Sequence, residues 1–175
     1  MSFLHGRTRM LALDLGIKEM GYALLDDEIL IRYGVKNFKK KVKKETVPGV
    51  DLIRTYKPRV LILGKLSHSY RKGNPMLKRR TNKIKQFAIK QRIRVHEIEP
   101  ASATKSLMKD GKPTKFNAAA HITALYPELS SYLPQKGRIL WTSKDLYWMN
   151  MFDALTLALA YLRKRKRGKR TTMHL

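Results

Sequence analysis

Residues 11–25 read LALDLGIKEMGYALL, two short apolar runs on either side of a short link bounded by Gly16 and Gly21. Taken with Met10, the first run, MLALDLG at 10–16, has the length and apolar continuity of a buried strand. GYALL at 21–25 reads as a second strand and ILIRYGV at 29–35 as a third. The links, Ile17 to Met20 and Asp26 to Glu28, are too short for a crossover, so the three strands are expected to be antiparallel neighbours.

Working outward from this meander, the pattern changes to alternating helices and strands. Residues 48–57 read as a helix, with Pro48 in its first turn and Val50, Ile53 and Tyr56 on one face. RVLIL at 59–63 is an apolar strand. Asn74-Pro75 is a helix start, and that helix is expected to reach about Arg92, with Leu77, Ile84, Phe87 and Ala88 on its apolar side. RVHEIE at 94–99 gives a fifth strand. Helical stretches at 101–109 and 114–125 follow, split by Asp110-Gly111-Lys112-Pro113, and Pro127 and Pro134 mark a loop. The last helix is expected over 149–165; its middle, ALTLALAYL, is apolar nearly all round and so belongs against a sheet. Strands joined through helices run parallel to a neighbour. The expected fold class is therefore α/β: a mixed five-stranded sheet, three antiparallel strands then two parallel, with helices on both faces. Residues 1–162 form the expected domain. Residues 163–175 are expected to be a flexible basic tail.

Charge decides the class of partner. The chain carries 38 Lys+Arg against 13 Asp+Glu, a formal net charge of +25 over 175 residues. Solubility calls for a magnitude of only about 2–8 in a small domain. So large an excess points to a polyanion whose phosphates the cations neutralise with release of counterions. Three blocks hold much of it. Lys36 to Lys44 is a basic connection. Arg71 to Arg94 has ten Lys/Arg in 24 residues and no acid, and Arg163 to Arg170 is basic at seven of eight positions. On the helix of the second block, Lys78, Arg79, Arg80, Lys83, Lys90 and Arg92 are expected to form a ridge that follows a phosphate backbone. Arg163, Lys164 and Arg165 would add a flexible arm; a nuclear-localisation signal is the alternative reading of that tail.

Other classes are excluded or disfavoured. There is no cysteine, which rules out disulfides and Cys-based zinc sites. The five His are scattered, with no close pair at metal-ligand spacing. MSFLHGRTRM has no apolar core of a signal peptide. No apolar run approaches the roughly 20 residues of a membrane span. An intracellular location, cytoplasmic or another nucleic-acid compartment, is expected.

In so basic a chain, an acid inside an apolar element stands out. Asp14 lies within the first strand and Asp153 within the final helix. A buried carboxylate is costly unless it is paired, hydrogen-bonded or bound to metal. If that helix crosses that strand, both carboxylates face one cleft, and Mg²⁺ suits such a site. Two ions could then serve phosphodiester cleavage. Structural alternatives stand beside this. Asp14 before Leu15-Gly16 fits a strand-end turn. Asn150 and Asp153, three apart, fit a capping box at a helix start.

The ordered set LALDLGIKEMGYALL, PASATKSLMKDGKPTK at 100–115 and FDALTLALAYL at 152–162 resembles the RuvC family of Holliday-junction resolvases, within the RNase H-like superfamily. The resemblance runs from Leu11 to about Leu162. It implies an RNase H-like fold and a Mg²⁺- or Mn²⁺-dependent endonuclease acting as a homodimer on branched DNA; the lack of a membrane span adds that no membrane partner is expected. It places catalytic, metal-holding aspartates on Asp14 and Asp153, and DNA-contacting, catalysis-assisting lysines on Lys105 and Lys115, with Lys112 beside them. At two positions the sequence departs from the family. The family's glutamate, six residues after a proline, falls on Gly64, counted from Pro58. Asn150 stands where the family has an acid or His, so it is at best a neutral metal ligand. Glu99, at the end of the fifth strand, and Asp145, in TSKDLYWMNMFD, are the candidate substitutes; a surface role is the alternative for each. There is a more distant similarity to the YqgF family, which shares DLG-x-K near its start. The implied alternative to a nuclease is a catalytically inactive RuvC-like module that binds or scaffolds DNA or RNA, for example within a ribonucleoprotein.

Overall fold

The computed structural model describes residues 7–38, 47–66, 73–108, 111–137 and 140–172, with side chains beyond Gly168 left aside. The expected basic connection therefore lies outside the described residues from 39 onward, as do the last three residues of the tail.

Strands β1 (Arg9–Leu15), β2 (Glu19–Asp26) and β3 (Ile29–Asn37) form the antiparallel meander. Helix α1 (Pro48–Tyr56) leads into β4 (Val60–Gly64), and α2 (Pro75–Lys90) leads into β5 (Arg94–Ile98). Both strands run parallel to β1, giving the order β3-β2-β1-β4-β5. Then come α3 (Pro100–Leu107), α4 (Lys115–Leu125), a 3₁₀ turn (Pro127–Tyr132) and α5 (Ser143–Thr172). This is the mixed α/β sheet read from the sequence.

Residue alternation sorts the core into two layers. Met10, Ala12, Val60 and Ile62 point to the face covered by α3, α4 and α5, where Phe152, Leu155 and Leu157 meet them. Leu11, Leu13, Leu61 and Leu63 point to the other face, covered by α1 and α2 through Val50, Ile53, Leu77 and Ile84. Central strands buried on both faces have no polar side to show. That is why MLAL and VLIL are continuous apolar runs instead of alternating ones.

The final helix differs most from its expected limits. It begins at Ser143, where Thr142 and Asp145 make a reciprocal cap: Thr142 donates N–H and O–H to Asp145 Oδ2 at 2.8 and 2.7 Å, and Asp145 N–H donates to Thr142 Oγ1 at 3.2 Å. Asn150 and Asp153 thus lie two turns inside the helix, and the capping role considered for them belongs to Thr142 and Asp145. At its other end α5 continues to Thr172. Arg165 reaches Asp27 at 3.4 Å and Thr8 Oγ1 at 3.2 Å, and Lys166 reaches Glu28 at 2.7 Å, so the start of the basic stretch is tied to the β2–β3 turn. No helix among the described residues is long and apolar enough to cross a membrane.

One glycine sets how closely α5 approaches. A Cβ added at Gly21 would collide with the Asn150 carbonyl oxygen. Gly21→Ala is therefore expected to destabilise the fold by about 1–3 kcal/mol or more, read as a lower urea midpoint. An unchanged midpoint would mean that the helix can retreat from β2 without loss.

Candidate functional site

Parallel strands that enter a sheet from helices leave their C-terminal ends free to build a site. Here β1 delivers Asp14, β4 ends on Gly64, and β5 runs into Pro100 of α3 at the same edge. Helix α5 crosses above and brings Asp153. The resulting cleft, about 450 Å³, is lined by Pro100, Thr104, Lys105, Lys115, Asp153 and Leu157 among others. Asp153, Lys105 and Lys115 thus line one cleft, and Asp14 is buried beside it, near enough to feel the charges of Asp153 and Lys115.

The electrostatics are those of a crowded carboxylate pair. Burial, reinforced by the charge of Asp153 and opposed by Lys115, pushes the Asp14 carboxyl up to about 7. Burial also raises the Asp153 carboxyl, against the pull of Lys115. Lys115, at the start of α4, donates Nζ–H to Asp153 Oδ2 at 2.5 Å. Burial opposes its charge, but Asp153 outweighs that and the ammonium is held above its ordinary pKa. Thr114 fixes the lysine's position by capping α4, accepting from Asn117 N–H at 3.1 Å.

The remaining candidates fall elsewhere. The position of Gly64 is telling: a Cβ built there would lie 3.0 Å from Asp14 Oδ1, so the side chain that this sequence lacks would point at the carboxylate. The Asn150 amide donates to Glu19 Oε2 at 3.0 Å and to the Leu146 and Tyr147 carbonyls. Glu99 is exposed, precedes α3, and accepts from Ser102 Oγ at 2.9 Å. Asp145 is occupied in the α5 cap. Glu19, which the sequence does not single out, is the acid that accepts from the Asn150 amide, and no local pattern around it points to that role.

Magnesium takes oxygen ligands at near-octahedral positions and keeps several waters. The cleft offers two carboxylates, one with a raised pKa and the other bound to an ammonium. No group of three or more His, Cys, Asp or Glu that could hold a metal ion occurs among the described residues. The side chains present do not fit the two-ion set that the resemblance implies.

The basic ridge is real but smaller than expected. Lys78, Arg79, Lys83 and Lys90 are exposed on α2. Arg80 is not: it is 8% exposed, donates to the Ile17 carbonyl at 2.9 Å and stacks on Phe38, 3.9 Å from the ring centre. It pins the β1–β2 link and presents nothing to a phosphate. Arg92 lies past the helix end at φ 57°, at the opposite edge of the sheet. Arg163 is likewise internal, donating to the Ser106 carbonyl at 2.6 Å and meeting His121 at 3.1 Å, so it fastens α5 to α3 and α4. Lys105, Lys112 and Lys164 are exposed.

No family model matches this sequence, and no curated protein does. Among solved structures, RuvC from Thermus thermophilus superposes with TM-score 0.67 at 16% identity, covering 92% of this chain and 97% of that one. The yeast mitochondrial Holliday junction resolvase Ydc2 gives TM-score 0.59 at 18% identity, over 97% and 83%. Fowlpox virus resolvase, solved with its substrate Holliday junction DNA, gives 0.52 at 21%, over 90% and 98%. The structural neighbours are RuvC and related resolvases, and the fold is theirs.

An acid whose folded pKa is raised binds its proton more tightly when folded, so its contribution to stability is present below about pH 4 and lost as pH rises through about 7. At pH 8 the ionised Asp14 is thus a burden. Asp14→Asn is expected to be more stable than the parent there by on the order of 2–4 kcal/mol, with the gap shrinking towards pH 4. Urea unfolding at both pH values checks this, and equal or lower stability of the variant at pH 8 would overturn it.

Proposed function

We propose that this chain binds branched DNA of the four-way-junction kind in the Asp14–Asp153 cleft, and holds it without cutting it. The observation that carries the reading is Gly64. It faces Asp14 where the resemblance calls for a third carboxylate, while Lys115 already neutralises Asp153. The basic residues that would meet phosphates are Lys105 and Lys112 beside the cleft, Lys115 being spent on Asp153, with Lys78, Arg79, Lys83 and Lys90 on α2. Support for DNA as the polyanion comes from the shared fold, since Thermus RuvC and fowlpox resolvase were both solved with Holliday junctions. By the same resemblance the active form is a homodimer within the cell.

A second reading, a Mg²⁺- or Mn²⁺-dependent endodeoxyribonuclease, is favoured by the convergence of Asp14 and Asp153. A labelled four-way junction separates the two. Binding is expected without added metal and to weaken steeply with salt, with no cleavage in Mg²⁺ or Mn²⁺. Cleavage lost in Asp14→Asn would establish the second reading instead. In parallel, Gly64→Glu sets a new carboxylate against Asp14. The variant is expected to be less stable than the parent without metal and to gain thermal stability in Mn²⁺, while the parent gains none. A parent that Mn²⁺ stabilises as strongly would contradict the reading of the cleft.

A further inference from the structure

The C-terminal ends of β1, β4 and β5 meet at the cleft. Their N-terminal ends meet at the opposite pole, and that pole is also basic. Arg59 donates its backbone N–H to the Arg9 carbonyl at 2.9 Å, and Arg94 donates to the Arg59 carbonyl at 3.2 Å, so three arginines stand on adjacent strand starts. The two helix-to-strand loops feeding β4 and β5 add Lys57 and Arg92.

Both of these residues have left-handed backbone, φ 46° at Lys57 and 57° at Arg92. At a helix C-terminus that conformation is ordinarily given to Gly or Asn, which adopt it at little cost. A cation favours the negative end of a helix dipole, but a Lys or Arg in the last turn would serve that purpose with ordinary φ. Twice in one surface, this chain puts a long cation where glycine is at home. Arg9 is paired with Asp26 at 2.9 Å and Arg54 with Asp51 at 3.5 Å. Lys57, Arg59, Arg92 and Arg94 are exposed and form no ion pair with an acid among the described residues.

On the α1/α2 side of this pole lies a groove of about 520 Å³, whose lining includes Arg54, Lys57, Pro58, Phe87 and Gln91; Arg94 alternates to the other face of β5, that of His96 and Tyr161. Phe87 is half-buried, and the Arg54 guanidinium lies over its ring at 5.0 Å. Flat aromatic and guanidinium groups offer stacking surfaces to bases, the Gln91 amide can donate and accept, and cations at the rim match phosphates. A duplex keeps its base faces covered; an unpaired strand does not.

We propose that this pole is a second nucleic-acid site, for a single-stranded segment, with Lys57, Arg59 and Arg92 along the backbone and Phe87 with Arg54 as the base-stacking platform. It is separated from the cleft by the length of the parallel strands, roughly 15–25 Å at about 3.3 Å per residue. The protein therefore holds a branched duplex at one end of its sheet and an unpaired strand at the other.

The test uses the full chain and a fluorescein-labelled oligo(dT), followed by anisotropy across a salt series. Lys57→Gly/Arg59→Ser removes two cations, and glycine suits the backbone at residue 57, so the thermal midpoint should hold. Oligo(dT) affinity is expected to fall about tenfold or more, and the log–log salt slope to become shallower by about 1.4, the value for two lost contacts to a single strand. Phe87→Leu, which keeps an apolar side chain, is expected to cost about fivefold or more. Affinity for the four-way junction should stay within about twofold in both. Unchanged oligo(dT) affinity and slope in the double variant would overturn the site. Equal losses for oligo(dT) and junction would overturn its separateness, and an unaffected Phe87→Leu would overturn the single-strand assignment. A parent that binds oligo(dT) but not the junction would remove the cleft reading while leaving this one to stand on its variants.

Discussion

The contact between the Asn150 backbone and Gly21 is the constraint on which the site depends. Helix α5 is apolar around most of its middle turns, so burial alone would let it lie on the sheet in several rotations and heights. Backbone against backbone admits far fewer. With no side chain at Gly21, the helix settles onto β2 two turns after its cap, and the residue three positions on, Asp153, is turned over the end of β1. Asp14 and Asp153 are 139 positions apart in the sequence. They meet because a helix face and a missing Cβ fix each other.

Most of the fold was legible because its signals are local and agree. Short links forced β1, β2 and β3 into a meander, and the apolar runs of β1 and β4 marked strands covered on both faces. The start of α5 was misread for an equally local reason. Asn150-x-x-Asp153 and Thr142-x-x-Asp145 have the same spacing and both suit a cap. Only Trp148 and Met149, which pack into the same core as Phe152, show that the helix is already running before Asn150. Arg80 was lost in a block of ten basic residues, although Leu77, Arg80, Thr81, Ile84 and Ala88 follow the buried face of α2. Counting that spacing would have removed it from the ridge. Arg163 could not be found this way, since its partners, Ser106 and His121, come from two other helices.

The site itself was legible only in part, and the division follows the range of the interactions. Asp14 and Asp153 could be picked out because an acid in an apolar element is costly wherever it sits. Where Glu99 and Asp145 spend their carboxylates depends on a neighbour three residues away, Ser102 for one and Thr142 for the other. Such local bonds compete with any longer-range role. Glu19 shows the reverse case. Nothing in its own surroundings marks it, and its partner Asn150 lies across the fold.

Gly64 and Lys115 make sense together. A third carboxylate beside Asp14 would place like charges in a cleft where burial already raises both aspartates, and it would need a cation to be tolerable. This chain carries its own cation, fixed on Asp153 by the capped start of α4, and it has no side chain at residue 64. Each feature alone could pass for drift. In combination they leave the pair balanced by protein groups: one carboxyl that readily keeps its proton near neutral pH, and one carboxylate matched by an ammonium. A divalent ion entering that arrangement would have to displace Lys115 and deprotonate Asp14, with no third acid to repay either step. A phosphodiester backbone, on the reading proposed above, asks for neither, since Lys105 at the cleft and the exposed Lys112 carry cations that no carboxylate of the cleft takes up. The same electrostatics that weaken the cleft as a metal site do not count against the polyanion binding proposed for it.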